Sequence, residues 1–190
     1  MERSFADPLS TCMGEDMTSP FGIELHSQVD QLEIVRDLGQ GKYSVTPPKP
    51  HPSFEMYIVQ ATPGLGVFWI KAISATVEND AYGTQTRSLQ EKVHGQLSKR
   101  YGPGVFTDRL TYGSIWNEPR DWTQGLTANE RFHFVIWERP KSPELPDDIQ
   151  SIYLGATGYG SDQAGVCIEY SSVRMKDAEE ELEELLSDLL

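Results

Sequence analysis

Residues 54–77, FEMYIVQATPGLGVFWIKAISATV, decide the fold. Two runs rich in β-branched and aromatic residues flank TPGLG, and such a pair of runs around a Pro-Gly turn is typical of a β-hairpin. Both faces of the first run are partly apolar, which is the pattern of a strand inside a sheet. The stretch therefore predicts a hairpin, with strands over residues 54–61 and 65–77, in the middle of a sheet.

Further runs of strand composition lie on both sides of this hairpin. They are FGIEL (21–25), KYSVT (42–46), TDRLTYGSIW (107–116), RFHFVIWER (131–139), IQSIYLGATGYG (149–160) and AGVCIEYSSV (164–173). The last two flank a short turn and form a second predicted hairpin. Because the strands follow one another through hairpins, we expect a largely antiparallel sheet. The proline-rich segment PPKPHP (47–52) is a loop, since proline cannot donate to a sheet ladder.

Three stretches show helical periodicity of their apolar residues. They are SQVDQLEIVRDLGQG (27–41), ENDAYGTQTRSLQEKVHGQLSKRYGPG (78–104) and MKDAEEELEELLSDLL (175–190). Ser27 is the expected N-cap of the first helix, and Thr84 or Asp80 that of the second. YGPG ends the second helix, because glycine and proline stop helices.

The order of these elements predicts an α+β fold, with a mostly antiparallel sheet and helices on one face. A helix followed by strands occurs twice, which gives the hypothesis of two similar αβββ halves over residues 21–78 and 79–175. Residues 1–20 are polar and aperiodic, and we expect a flexible N-terminal arm. One α+β domain then spans 21–175, and an acidic amphipathic helix spans 176–190.

The charge of the chain is strongly negative. Its 29 acidic and 16 basic residues give a net charge of −13, which repels nucleic acid and anionic membranes and suits a basic protein partner or simple solubility. No apolar run approaches the ~20 residues of a membrane helix, and the N-terminus lacks a signal-peptide pattern. Cys12 and Cys167 have no CxxC neighbour and are expected to be reduced thiols. We therefore expect a cytoplasmic protein.

The motifs of common catalytic and cofactor sites are missing from the sequence. There is no GxSxG, GxGxxG or Walker loop, and the four histidines are scattered rather than clustered as zinc ligands. A thiol–imidazole pair of Cys167 and His133 is conceivable, but Cys167 lies inside an apolar strand, where inert cysteines are found. We predict no catalytic residue, no cofactor, no metal and no enzymatic activity.

Two tryptophans and an arginine form the first candidate binding surface. Trp116 and Trp122 flank the polar segment NEPRD, and Arg120 lies between them. Tryptophan and arginine are enriched at the centres of protein interfaces. The alternative is that the tryptophans cover the edge of the core.

The C-terminal helix is the second candidate. Seven acidic residues and no basic one lie between Asp177 and Asp188. The apolar residues of this helix share one face, which packs either on the chain's own sheet or in a partner's groove: Met175, Ala178, Leu182, Leu185 and Leu189. We expect Glu180, Glu184 and Asp188 to steer a basic partner into contact.

This small, acidic, motif-free α+β chain resembles bacterial immunity proteins that neutralise toxins of type VI or contact-dependent systems. Its helix-then-strands repetition over residues 20–175 is similar to the tandem layout of β-lactamase-inhibitor-like proteins. The resemblance implies stoichiometric inhibition of a basic toxin. A secretion chaperone or adaptor for an effector, typically a dimer, is the first alternative. A small enzyme or ligand-binding protein is the second, and a deep pocket with converging polar groups would favour it. The partner's identity and the oligomeric state stay open.

Overall fold

The computed structural model of this chain describes residues 19–187. It contains one sheet of eight antiparallel strands, in the order β1-β2-β3-β4-β8-β7-β6-β5. The strands are β1 Glu33–Gly39, β2 Lys42–Thr46, β3 Met56–Thr62, β4 Gly66–Ile73, β5 Val105–Leu110, β6 Arg131–Glu138, β7 Ile149–Gly158 and β8 Ala164–Ser172. Both predicted hairpins are confirmed, and β3 and β4 lie inside the sheet.

Three α-helices accompany the sheet: α1 Thr84–Tyr101, α2 Trp122–Thr127 and α3 Met175–Ser187. The Asp80 carboxylate caps α1, because it accepts hydrogen bonds from the backbone N–H groups of Gln85 (3.1 Å) and Thr86 (2.8 Å). Burial raises the pKa of Asp80, but these bonds outweigh burial and hold it below its usual value. The predicted α+β class is confirmed.

The strand order divides the sheet into two halves of four strands each. β1 to β4 follow one another on one side, and β5 to β8 on the other, so that the last strand of each half meets its counterpart at the centre. There β4 pairs with β8 in register from Trp69 opposite Ser171 to Ile73 opposite Cys167. Each half therefore contributes four strands, one more than the predicted αβββ unit has.

The predicted helix over residues 27–41 is wrong. A short 3-10 turn at Val29–Gln31 is followed by β1, and a tight turn at Gln40 and Gly41 leads into β2. Gly39, Gln40 and Gly41 all have positive φ, which a helix does not allow but a hairpin turn does. The helical spacing of apolar residues gave a wrong prediction because β1 is an edge strand. Its Val35 is 65% exposed, so the apolar residues of this segment do not mark a buried face.

The predicted strand at residues 21–25 is also wrong. Pro20–Gly22 forms a 3-10 turn, and the chain then runs as irregular backbone with Ile23 and Leu25 buried. This segment covers the sheet in the first half, where a helix was expected.

The core lies on one face of the sheet, named here the covered face. α1 and α2 pack on it in the second half, and the irregular segment covers it in the first. Burial of each large core side chain contributes about 1.5–3 kcal/mol. The largest fully buried ones in this core are Trp137, Ile23, Ile70, Ile149, Ile152, Leu154 and Ile168.

Candidate functional site

The opposite face of the sheet, named here the open face, is the main candidate surface. Directly paired residues of neighbouring strands point to the same side, so the strand register defines its rows. The central row is Ser44, Ile58, Lys71, Glu169, Tyr153, Ile136 and Val105, running from β2 to β5. The rows beside it are Gln60, Trp69, Ser171, Ser151 and Glu138, and Met56, Ile73, Cys167, Gly155, Phe134 and Thr107.

Burial separates the two faces residue by residue. Along β8, Ile168 and Tyr170 on the covered face are buried, whereas Glu169 and Ser171 on the open face are partly exposed. β3, β4 and β6 show the same alternation. Within residues 19–187, α1 and α2 lie on the covered face, and the open-face residues Phe134, Tyr153 and Glu169 stay partly exposed, whereas Cys167 is buried.

An ion pair occupies the centre of the open face. Lys71 Nζ lies 2.8 Å from Glu169 Oε1, and about a quarter of each side chain is exposed. Burial lowers the pKa of Lys71, but the hydrogen bond and charge of Glu169 outweigh it and raise that pKa above its ordinary value. Lys71 is therefore protonated at neutral pH, and its ammonium is paired with the Glu169 carboxylate at the centre of the face.

Aromatic side chains surround this ion pair. The Tyr153 ring lies 5.4 Å from that of Phe134 and crosses Gly155, where a Cβ atom would overlap it. Burial raises the pKa of Tyr153 to about 12, so its phenol is neutral. The Lys71 ammonium lies 5.9 Å from the centre of the Trp69 ring. The open face is thus a mixed surface of aromatic, aliphatic and polar side chains on paired strands.

The structure does not bring Cys167 and His133 together. Cys167 belongs to a row of the open face, whereas His133 is buried on the covered face beside Trp122. Burial raises the pKa of Cys167, which keeps the thiol protonated and disfavours nucleophilic chemistry. Cys12 lies outside the described residues.

The structure separates the three residues of the predicted tryptophan–arginine surface. Trp122 is only 5% exposed and packs against the Arg87 guanidinium and the His133 ring, so little of its surface is accessible to a partner. It begins α2 and faces the sheet, as in the core-edge alternative. Trp116 is half-buried in the loop after β5. Arg120 is exposed, and its Nε lies 2.9 Å from Glu118.

Sequence reasoning missed two exposed apolar residues in the same loop. Residues 107–116 were expected to be one strand, but β5 ends at Leu110. Tyr112 is fully exposed and Ile115 largely so. The turn residue Gly113, at positive φ, was the signal that the strand could not continue.

The C-terminal helix packs on the chain's own sheet through its first half. Ala178 is fully buried, whereas Leu185 and Leu186 are exposed. The Glu181 carboxylate accepts hydrogen bonds from Thr62 Oγ1 at 2.6 Å and from the Gly64 N–H at 2.7 Å. These contacts attach α3 to the β3–β4 turn.

The predicted steering residues have different surroundings from Glu181. Glu180 and Glu184 are exposed on the outer side of α3, with no salt bridge to a residue between 19 and 187. Asp188 and Leu189 lie outside the described residues. The carboxylates of Glu180 and Glu184 are therefore available to a partner.

Within residues 19–187, no three side chains of His, Cys, Asp or Glu are placed so that they could hold a metal ion together. None of its helices has the length and apolar character needed to cross a membrane. No protein-family model, no curated protein and no solved structure matches this chain.

Proposed function

We propose that this chain is a non-catalytic protein-binding module, an immunity protein that neutralises a cognate basic toxin in the cytoplasm by direct binding. The observation that carries the proposal is the open face, on which aromatic and aliphatic side chains of β3, β4, β6 and β7 are partly exposed among polar ones. Partly exposed apolar residues that share one surface with polar groups are typical of interaction sites.

The composition of the open face suits a protein interface. Trp69, Tyr153 and Phe134 are the aromatic residue types that supply most binding energy at interface centres. They are mounted on strands that pair on both sides, so little conformational freedom is lost when a partner docks. The internally neutralised Lys71–Glu169 pair adds polarity at the centre without an unpaired charge.

The charge of the chain indicates the character of the partner. A net charge of −13 attracts a basic surface over long range and repels nucleic acid. The exposed carboxylates of α3 concentrate part of that charge beside the β3–β4 turn. Such charges accelerate association more than they strengthen the final complex.

Co-expression with the protein encoded by the adjacent reading frame tests the proposal. We expect the native chain to relieve growth inhibition by that protein and to form a stoichiometric complex with it. Trp69→Ala and Ile136→Ala on the open face should each weaken binding about tenfold or more. Tyr82→Ala is the matched control, since Tyr82 is an exposed aromatic residue in the loop before α1.

The opposite pattern would contradict the open face as the interface. If Tyr82→Ala weakens the complex as much as Trp69→Ala does, the partner contacts another surface. If the adjacent protein neither inhibits growth nor binds, the immunity function itself is refuted.

A second experiment separates steering from docking. Glu180→Gln with Glu184→Gln should slow association several-fold at low salt and leave dissociation unchanged. The effect should shrink at ~0.5 M salt, where screening reduces the range of charge interactions to a few ångström. A native association rate at low salt would show that the acids of α3 only increase solubility.

A further inference from the structure

A cavity on the covered face has no role in the proposed interface. It has a volume of about 330 Å³ and opens between α1 and the first half of the chain. Nine residues line it: Phe21, His51, Phe54, Val93, Gln96, Leu97, Arg100, Ile168 and Tyr170. Its size is at the lower end of the range for small-molecule sites.

The asymmetry between the two halves produces this cavity. α1 covers β7 and β8, but the first half has no helix at the corresponding place. The corresponding part of the sheet in the first half is covered by irregular backbone around Phe21 and by the loop that carries His51 and Phe54. Because irregular backbone does not fill a sheet face as a helix does, a gap stays open beside β8.

The inner wall of the cavity is aromatic. The Phe21 ring meets those of Phe54 and Tyr170 edge to face, with centroids 5.8 and 5.9 Å apart. Ile168 and Leu97 add aliphatic surface. A flat aromatic ring is the guest that such walls bind well, because ring edges and faces attract each other in this geometry.

The polar groups of the cavity include several hydrogen-bond donors. His51 Nδ1 accepts a hydrogen bond from the Ser53 N–H at 3.2 Å, so the neutral ring carries its proton on Nε2. The Gln96 amide, which can donate and accept, and the Arg100 guanidinium, which only donates, stand on the exposed side of α1. No carboxylate of the described residues lines the cavity, although the chain as a whole is strongly acidic.

Among the described residues that line the cavity, Arg100 alone has a permanent charge. Its guanidinium stacks on the Tyr101 ring at 5.1 Å, and no carboxylate of residues 19–187 lies within 4.0 Å of it. Burial raises the pKa of the Tyr170 phenol, and the charge of Arg100 opposes that shift. The cavity thus combines an aromatic interior with a guanidinium that forms no ion pair within residues 19–187, which suits an anionic group on an aromatic guest.

We infer that this cavity binds a small aromatic carboxylate. The ring packs against the wall that Phe21, Phe54 and Tyr170 form, and the carboxylate accepts hydrogen bonds from Arg100 and His51. The site is on the face opposite the proposed toxin-binding surface, so it does not depend on that function.

Binding of matched acids and amides to the purified chain tests the inference. The probes are benzoate, phenylacetate and indole-3-acetate, each paired with its neutral amide, and affinity is measured by NMR titration. We expect at least one acid to shift the resonances of Phe54 and Leu97, and to bind about tenfold or more tightly than its amide. Arg100→Gln should remove that preference and leave binding of the amide unchanged.

Two further variants decide the outcome. Gln96→Trp should close the entrance and abolish binding of acid and amide alike, without unfolding, because residue 96 is exposed. Arg109→Gln is the control, since Arg109 stacks on Phe132 away from the cavity, and it should change nothing. The inference is overturned if no probe binds, if acid and amide bind equally, or if Arg100→Gln keeps the preference for the acid.

Discussion

The two faces of the sheet use the same strands for different purposes. Along β4, Ile70 and Ala72 are fully buried on the covered face, while Trp69 and Lys71, which alternate with them, point to the open face and stay partly exposed. The covered face is apolar and packed by helices and irregular backbone. The open face carries fewer aromatic residues, among them Trp69, Phe134 and Tyr153, and has a central ion pair. The comparison teaches that an aromatic side chain is fully enclosed on one face of a strand and stays partly accessible to solvent on the other.

Substitution of a tryptophan on each face is the strongest test of this difference. Trp137 is fully buried, and its indole N–H donates to the Gly102 carbonyl at 2.7 Å. Trp137→Ala should lower the free energy of unfolding by about 3–5 kcal/mol. Trp69→Ala on the open face should lower it by only about 1 kcal/mol. Urea denaturation measures both, and equal losses would show that the open face belongs to the core.

The cap of α1 gives the next largest effect. Asp80 accepts two backbone N–H bonds and a third from the Thr86 hydroxyl at 2.8 Å, all in a buried position. Asp80→Ala should therefore destabilise the chain by about 2 kcal/mol. Asp37→Ala is the control, because Asp37 makes a similar bond to the Gly39 N–H in an exposed turn, and it should cost at most about 0.5 kcal/mol. Similar losses in thermal unfolding would contradict a special role for the buried cap.

The burial of His133 on the covered face should make the stability of the chain depend on pH. Burial lowers its pKa, although nearby Asp108 opposes the shift and Arg87 and Arg131 reinforce it. The unfolded chain therefore takes up a proton at a higher pH than the folded chain does. Stability should fall as pH decreases below about 6.5, towards the folded pKa. His133→Gln should flatten unfolding free energy against pH in this window, and an unchanged slope would refute the assignment to His133.

The ion pair of the open face should give the smallest effect. A double-mutant cycle with Lys71→Met and Glu169→Leu should yield a coupling free energy of about 0.5–1 kcal/mol, because the pair is only partly buried. The more exposed pair Glu118–Arg120 should couple by less than about 0.2 kcal/mol. A coupling of several kcal/mol between Lys71 and Glu169 would mean that the open face is shielded from water.

Sequence features that act within a few residues predicted the hairpins and α1. Features that depend on contacts between distant segments could not be predicted from the sequence. The Pro63-Gly64 turn and the Asp80 cap act within a few residues, so their structures follow from short stretches of sequence. β1 was misassigned because its exposure depends on its place at the edge of the sheet. The open face itself was not predicted, since it exists only through the register that brings Lys71 of one half beside Glu169 of the other.

The surroundings of Trp122 and Arg100 could not be predicted either, because they depend on residues that are distant in sequence. Trp122 looked like a surface residue because its neighbours in sequence are polar, yet Arg87 and His133, distant in sequence, enclose it. Arg100 was not singled out, because the cavity beside it is lined by four separate segments. Only three-dimensional packing distinguishes it from the other basic residues.

The order of synthesis gives the central position of β8 a further consequence. β4 is translated well before β8, its second hydrogen-bonding neighbour. Until Ala164–Ser172 leaves the ribosome, the apolar run VFWIKAI has an unpaired edge. Unpaired apolar edges promote association between nascent chains, and late non-local pairing slows folding. We therefore expect chains that terminate before residue 164 to aggregate, whereas full-length chains close the sheet and become soluble.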